Sequence, residues 1–337
     1  MIRIAIVGGG FSGLASAWNL LRYQEAGASL EIVLFDPADI GDNASGVAAG
    51  LLHPYPGPRA KLAPKGIEGQ TAAIKLMEIA SNALGIPVAE KTGQLRPALT
   101  TRQKEDFLRC ASMHDDVHWH DDVPYRHIRG PGIFIESSYL VRTEHYLSGL
   151  WKACQDQGVR WEKQEVASLA ELEEFDLKVI AAGYAVTTFP ELSFLPVKPV
   201  KGQILEIEWP SRLSPLPFPV NSGVYLVRQP DPSRCIVGAT FEHSFSGAAP
   251  DLSAARRLLQ KKMAALLPAL ADADIVDCRA GIRAYTPDHL PLIKKIGDKT
   301  WVFTGLGSKG LLYHALYAQT LARQVMESVR NPCSSCR

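Results

Sequence analysis

Ile6-Val7-Gly8-Gly9-Gly10-Phe11-Ser12-Gly13 is the stretch on which the fold turns. It holds Gly8-x-Gly10-x-x-Gly13 directly after an apolar run, Ile2 to Val7, and directly before a helix-like run, Leu14 to Arg22. Each glycine answers a separate steric demand. Gly8 permits a tight strand-to-helix turn, Gly10 lets the backbone approach a pyrophosphate, and Gly13 lets the helix pack closely on the strand. The first N–H groups of the helix then face the phosphates, where the helix dipole favours negative charge. A second apolar run, Leu30 to Phe35, ends at Asp36, 23 residues beyond Gly13 (36 − 13). A carboxylate at that spacing accepts from a ribose hydroxyl. Strand, loop, helix, strand and acid fall into register, which disfavours a glycine loop with no ligand.

The bulk properties narrow the class. A chain of 337 residues is long enough for about two domains. Hydrophobic residues make up 46% and charged residues 21%, which suits a soluble globular protein. Lys plus Arg number 36 against 35 Asp plus Glu, so no chain-wide basic excess marks a nucleic-acid binder, and only a local patch is left open. No apolar run reaches the roughly 18 residues of a membrane span. Met1 to Val7 has one Arg and no cleavage-like end, so it reads as a buried strand and not as a signal peptide. The six cysteines, Cys110, Cys154, Cys235, Cys278, Cys333 and Cys336, are too sparse for a disulfide scaffold. A reducing cytoplasm is therefore the expected compartment.

Along the chain, residues 67–84 have helical spacing, residues 85–135 read as irregular and polar with short strand-like pieces, and Tyr139 to Gly158 returns to helical periodicity. Leu177 to Ala181 is a short buried strand. Gly202 to Glu208, Gly223 to Arg228 and Cys235 to Ala239 read as antiparallel strands, and residues 252–270 as an amphipathic helix. Trp301 to Thr304 is a buried strand, followed by the glycine loop Gly305 to Gly310 and a helix from Leu311 to Val329. Strand–helix units at both ends around a β-rich middle predict an α/β fold in which a cofactor domain is interrupted by a substrate domain. The expected division is 1–84, 136–198 and 279–330 for the first, 85–135 and 199–278 for the second, with 331–337 as a tail.

Seven stretches, in one order, carry a resemblance. They are Gly8 to Gly13 with Asp36, Ala44 to Leu52, Asp176 to Gly183, Pro199 to Gln203, Val237 to Thr240, Gly281 to Asp288, and Gly305 to Gly310. Together they resemble the D-amino-acid-oxidase-like FAD-dependent oxidoreductases, nearly end to end. The resemblance implies a Rossmann-like FAD-binding domain of the glutathione-reductase type with a discontinuous β-sheet substrate domain. It further implies oxidation of the C–N bond of a carboxylate-bearing amine by hydride transfer to the flavin, with reoxidation by oxygen or another acceptor.

Two branches are similar. One is glycine oxidase, which the Ala48 to Leu52 run resembles most. The other is the C-terminal oxidase domain of the bifunctional enzyme that completes 5-methylaminomethyl-2-thiouridine at the tRNA wobble position. Ala44-Ser45-Gly46, Val200 to Gln203 and Gly307 to Gly310 look like that branch, which usually carries Arg where Lys201 and Lys309 stand. The implied partners are thus a small amine or a modified tRNA. The alternatives are a free glycine, sarcosine or D-amino-acid oxidase and, from another class, a non-catalytic FAD-binding module.

The resemblance also places site residues. FAD would lie against Gly8, Gly10, Phe11, Ser12, Gly13, Asp36, Ala44, Ser45, Gly50, Leu51, Val166, Gly183, Leu306, Gly307, Ser308, Lys309, Gly310 and Leu311. Substrate would meet Arg283, Lys309 and Tyr225. A guanidinium fork suits a carboxylate bidentately, although Arg283 in a structural ion pair, Lys309 in solvent and Tyr225 in the core are the plainer alternatives. No catalytic base and no metal are expected, because the flavin carries the chemistry. Sarcosine-oxidase-like members attach FAD to a Cys at the position of Gly281, and Cys278 is three residues away, so non-covalent FAD is expected.

Three further features read as structural. His118 and His120 in the His114 to Asp122 stretch belong to a solvated loop. Cys333-x-x-Cys336 belongs to a frayed tail. Arg256, Arg257, Lys261 and Lys262 form a solvated helix face that could also touch phosphates.

Overall fold

The computed structural model describes residues 1–25 and 27–330; Cys333 and Cys336 lie outside them. The strand Ile2–Val7 sits at the centre of a six-stranded sheet, parallel to Leu30–Phe35 on one side and to Leu177–Ile180 on the other. Arg160–Glu162 closes one edge. Thr300–Thr304 and the antiparallel Leu292–Ile296 close the other. Alternation along the first strand explains why both faces are covered. Ile4 and Ile6 face a core shared with the helices Phe11–Glu25, Gly66–Leu84, Thr143–Asp156 and Gly310–Arg330. Ala5 and Val7 face a second core with Phe35, Phe175, Ile180 and Phe189. Each of the larger of these side chains taken wholly out of water contributes about 1.5–3 kcal/mol. This is the predicted α/β class, and the nearly continuous apolar strands are those of a sheet buried on both sides.

An eight-stranded sheet stands beside it. Its order runs Ile275–Tyr285, Lys198–Glu208, Arg234–Gly238, Val224–Arg228, Val220–Ser222, Gln94–Pro97, Gly132–Ile135 and Val117–His120. The helix Leu252–Leu266 covers one face through Ala255, Leu259, Met263 and Leu266, against Leu205, Ile207 and Val237. The two longest strands pair with Gly202 opposite Gly281 and Val200 opposite Arg283, and this register delivers Arg283 to the junction of the sheets. A third, three-stranded sheet joins Leu51–Leu52, Tyr139–Val141 and Ala89–Lys91. Among the described residues no helix is long and apolar enough to cross a membrane.

Three local expectations change. The stretch 85–135 holds a helix, Thr101–Met113, that periodicity did not indicate. Its buried stripe is only Asp106, Phe107 and Cys110, and Asp106 is satisfied by Arg59 at 3.0 and 3.2 Å. Its one legible signal is a cap: Thr100 accepts from Gln103 N–H at 3.2 Å, and Gln103 accepts from Leu99 N–H at 2.9 Å. The helix expected from Tyr139 starts at Thr143, because Tyr139–Val141 is drawn into strand pairing on both sides. His118 and His120 lie on the strand Val117–His120 instead of in a loop, and His118 sits 3.3 Å from the Glu136 carboxylate.

Candidate functional site

A cavity of about 640 Å³ runs along the junction between the two large sheets. Gly8, Gly10, Phe11, Ser12, Asp36, Ala44, Ser45, Gly50, Leu51, Val166, Gly183 and residues 306–311 all line it, as do Arg283 and Tyr225. Of the predicted site residues only Gly13 is not in its wall. A Cβ on Gly13 would stand 1.7 Å from Gly8 O, so its role is the helix-on-strand contact.

The end at the glycine loop is built as the motif requires. Gly8 has φ +110°, and a Cβ there would meet Ala181 O at 2.4 Å, so only glycine can make the turn. A Cβ on Gly10 would meet Ser45 Oγ at 2.8 Å. That hydroxyl accepts from Phe11 N–H at 3.1 Å, and Asn43 Oδ1 accepts from Ser45 N–H at 2.9 Å. Both Asp36 oxygens are engaged, Oδ2 by Gly9 N–H at 2.6 Å and Oδ1 by Ala38 N–H at 2.9 Å, which aims the carboxylate at the cavity edge. A second helix, Gly310–Arg330, starts beside the first: a Cβ on Gly310 would touch Phe11 at 3.0 Å. Two helix N-termini therefore converge on one cavity, a strongly anion-favouring arrangement. A buried pair ties the second of them to the helix Thr143–Asp156. His314 Nδ1 donates to Gly310 O at 2.9 Å, which leaves Nε2 to accept from Tyr146 OH at 2.5 Å, and Phe11 stacks 5.2 Å from the imidazole.

Toward the other end stand Arg283, Tyr225 and Lys309, the residues expected to meet substrate. Arg283 Nη1 donates to Thr240 O at 3.3 Å. Among the described residues no carboxylate lies within ion-pair distance of it. A Cβ on Gly202 would stand 2.1 Å from Arg283 Nη2, and one on Gly238 would stand 2.4 Å from Tyr225 OH, so both side chains cross the sheet where glycine leaves room. Burial pushes the Tyr225 hydroxyl up to about 12, against the pull of Arg283 and Arg279, so it is a neutral hydrogen-bonding group at neutral pH. Lys309 is not a solvated lysine. Its Nζ donates to His289 O at 2.7 Å and lies over Tyr313, and burial lowers its pKa while Asp288 opposes the shift.

Periodicity and motif did not point to His53, which also lines the cavity. Its Nδ1 accepts from Tyr55 N–H at 3.3 Å, and burial, with Arg96 assisting, lowers its pKa to about 3. Arg96 holds that turn, donating to Tyr55 O at 2.9 Å and Gly57 O at 2.6 Å. The only sequence signal is a lone His after Leu51-Leu52.

The two buried histidines make a testable pH dependence. Burial lowers His314 to about 4, as it lowers His53 to about 3, from an ordinary value of 6.5. Below pH 6.5 the unfolded chain binds protons that the folded chain refuses, so stability falls with falling pH. The unfolding midpoint should drop between pH 6.5 and 5, above the range in which ordinary carboxylates titrate. A constant midpoint across that window would show that neither imidazole is held neutral.

The DAO family of FAD dependent oxidoreductases matches residues 3–324. The chain belongs to this family. The bifunctional protein MnmC of Maricaulis maris (strain MCS10), named for tRNA 5-methylaminomethyl-2-thiouridine biosynthesis, is 27% identical over 97% of this chain and 52% of its own length. The chain spans about half the length of this and other curated relatives it matches. Among solved structures, glycine oxidase from Geobacillus kaustophilus superposes with a TM-score of 0.80 at 22% identity, covering 97% of this chain and 95% of its own. Iminodiacetate oxidase from Chelativorans sp. BNC1 gives 0.79 at 21% identity, covering 96% and 95%. The fold is therefore that of the glycine-oxidase-like flavoproteins, and the chain is an FAD-dependent oxidoreductase.

The cavity fits that cofactor. Gly8, Gly10 and Gly50 line it with bare backbone, because a Cβ at Gly8 or Gly50 would strike the main chain behind the wall, Ala181 O at 2.4 Å and Val141 O at 1.9 Å. The adjoining backbone donors belong to two helix N-termini, and Asp36 stands where the ribose is expected.

Proposed function

We propose that this protein oxidises the C–N bond of an N-substituted glycine, and that the substrate is the carboxymethylaminomethyl group of a wobble uridine in tRNA. The observation that carries the amine reading is Arg283, a guanidinium in the cavity wall with one carbonyl partner and no carboxylate partner among the described residues. Such a cation retains the capacity for a bidentate carboxylate. The names of the structural neighbours, glycine oxidase and iminodiacetate oxidase, agree with a carboxylated amine. The tRNA reading is supported by relatives named for 5-methylaminomethyl-2-thiouridine biosynthesis that align over nearly the whole chain.

FAD, when bound, supplies the two-electron acceptor. The residues of this chain do the rest. Arg283 fixes the carboxylate, so that the neighbouring C–H is held against the flavin site. Tyr225 donates or accepts a hydrogen bond without changing charge. Val47, Ala48, Ala49 and Leu51 exclude water around the reacting carbon. The amine loses a hydride from carbon and a proton from nitrogen, and water hydrolyses the resulting imine to glyoxylate and the shortened amine. The electrons pass finally to oxygen or another acceptor, which peroxide measurement identifies.

FAD is held without a covalent bond on this reading. A side chain at 281 would have to displace Ala44, whose Cα lies 2.9 Å from the Cβ position, and Cys278 is not among the residues lining the cavity. Acid precipitation should release all the flavin into the supernatant; yellow colour retained in the pellet would refute non-covalent binding.

A free N-substituted glycine is the second reading, favoured by the likeness of Ala48 to Leu52 to glycine oxidase. Anaerobic flavin bleaching by sarcosine, glycine and carboxymethylaminomethyl-modified tRNA separates the two. Reduction by the tRNA should weaken steeply as salt rises, whereas reduction by sarcosine should change little. Bleaching by sarcosine and not by modified tRNA at low salt would transfer the assignment to the free amine.

A further inference from the structure

We propose that the loop 239–250 and the helix Leu252–Leu266 dock the RNA that carries the substrate group, with a base stacked on Phe241 and phosphates on Arg256, Arg257, Lys261 and Lys262. The proposal rests on the wobble-uridine reading above and locates the surface that reading needs.

The loop is fixed at the cavity mouth. Thr240 O holds Arg283, so Phe241 follows directly on the residue that touches the substrate cation. Ala248 lines the cavity itself. Beneath the loop, Lys201 is buried, and its amine donates to Gly247 O at 3.0 Å and Ala249 O at 2.5 Å. Gln203 takes Asp251 N–H at 2.6 Å and donates to Glu242 at 3.0 Å. A buried cation spent on two loop carbonyls is an expensive way to shape a surface segment, and it keeps the loop against the site.

On this fixed loop stands a row of rings. Phe241 is 49% exposed. Its centroid lies 5.1 Å from His243 and 5.1 Å from Tyr285, and Tyr285 lies 5.6 Å from His289, with every pair near perpendicular. His289 is held at φ +57°, and its carbonyl is taken by Lys309. Perpendicular packing holds the Phe241 ring by its neighbours and leaves ring surface exposed, the requirement for stacking a nucleobase.

The helix that follows adds charge. Asp251 caps it, accepting from Ala254 N–H at 2.9 Å, and Ala255, Leu259, Met263 and Leu266 face the core. Arg256, Arg257, Lys261 and Lys262 are exposed, and the helix sequence contains no Asp or Glu. None of the four forms an ion pair among the described residues. A chain of net charge +1 thus concentrates four cations, uncompensated among the described residues, on the outer face of the helix that continues from this loop. An acidic protein would match the charge alone; the exposed ring on the preceding loop favours RNA.

The test uses the FAD-loaded full chain. Affinity for an unmodified tRNA transcript is measured by fluorescence anisotropy across salt concentrations, and flavin reduction is followed with carboxymethylaminomethyl-modified tRNA and with sarcosine. Replacing the four cations together by Ala should weaken transcript binding at least about tenfold at low salt and flatten the salt dependence by about two to three in slope. Phe241→Ala should raise the modified-tRNA concentration for half-maximal reduction about fivefold or more, and Phe241→Trp should restore it. Sarcosine reduction should keep the wild-type rate in both variants. Wild-type affinity and salt slope in the fourfold variant would overturn the proposal. Equal displacement by polyglutamate, with no effect of Phe241→Ala, would assign the face to an acidic protein instead. Failure of the wild-type enzyme to be bleached by modified tRNA would instead sink the substrate reading, an outcome visible without any variant.

Discussion

Gly10→Val is expected to give a folded, colourless protein that binds no FAD. The three motif glycines differ in what a side chain would strike. At Gly8 and Gly13 the obstacle is backbone, Ala181 O at 2.4 Å and Gly8 O at 1.7 Å, so substitution there would push the central strand off its helix. At Gly10 the nearest atom is a side-chain oxygen, Ser45 Oγ at 2.8 Å, which can swing aside. The sheet and helix survive, but the hydroxyl that accepts from Phe11 N–H is displaced. An isopropyl group also occupies the volume where a pyrophosphate must approach the helix N-terminus. The measurement is flavin absorbance of the purified variant beside its far-ultraviolet circular dichroism. Stoichiometric FAD on a folded Gly10→Val protein would disprove the phosphate site. Loss of fold would contradict the distinction drawn between Gly10 and its neighbours.

That distinction also marks how far the site was readable from sequence. The phosphate loop was legible because its constraints are local: turn, close approach and helix packing act within six residues, and each leaves a glycine. The stretch Gly305 to Gly310 was legible for the same reason. The need for Gly202 and Gly238 was not, because the groups they accommodate, Arg283 and Tyr225, come from other strands, and nothing near either glycine specifies that pairing. The strand Ile275–Tyr285 gave no alternating pattern, since it is half-exposed along most of its length; only its last residues stood out, and only by resemblance. The helix Thr101–Met113 hid for a related reason, burying a charged residue where periodicity looks for an apolar one. His53 owes its neutrality to burial and to Arg96, 43 residues on (96 − 53), and no motif links the two.

Arg283→Ala should raise the substrate concentration for half-maximal flavin reduction at least about tenfold while FAD content stays unchanged. The guanidinium lies in the cavity wall with Thr240 O as its one hydrogen-bond acceptor among the described residues, and Gly202 gives it room. A structural ion pair, the plainer role for such a residue, would need a carboxylate partner, and the described residues provide none within range. Losing a charge-assisted, bidentate contact in a desolvated site costs about 2–5 kcal/mol, and about 1.4 kcal/mol is tenfold. Arg283→Lys should recover only part of the loss, because a point charge cannot reproduce the fork and a shorter reach leaves Thr240 O competing for it. Lys309 is the rival, and its geometry argues against it. Its amine is already committed to His289 O and lies over Tyr313, so engaging a carboxylate would require giving up that bond. Lys309→Ala is therefore expected to loosen the Gly305–Gly310 loop and lower FAD affinity more than it alters substrate saturation. Titrating both variants with sarcosine under anaerobic conditions decides between the two cations. Wild-type saturation in Arg283→Ala, with saturation lost in Lys309→Ala, would move the carboxylate to the lysine and leave Arg283 as a prop for Thr240.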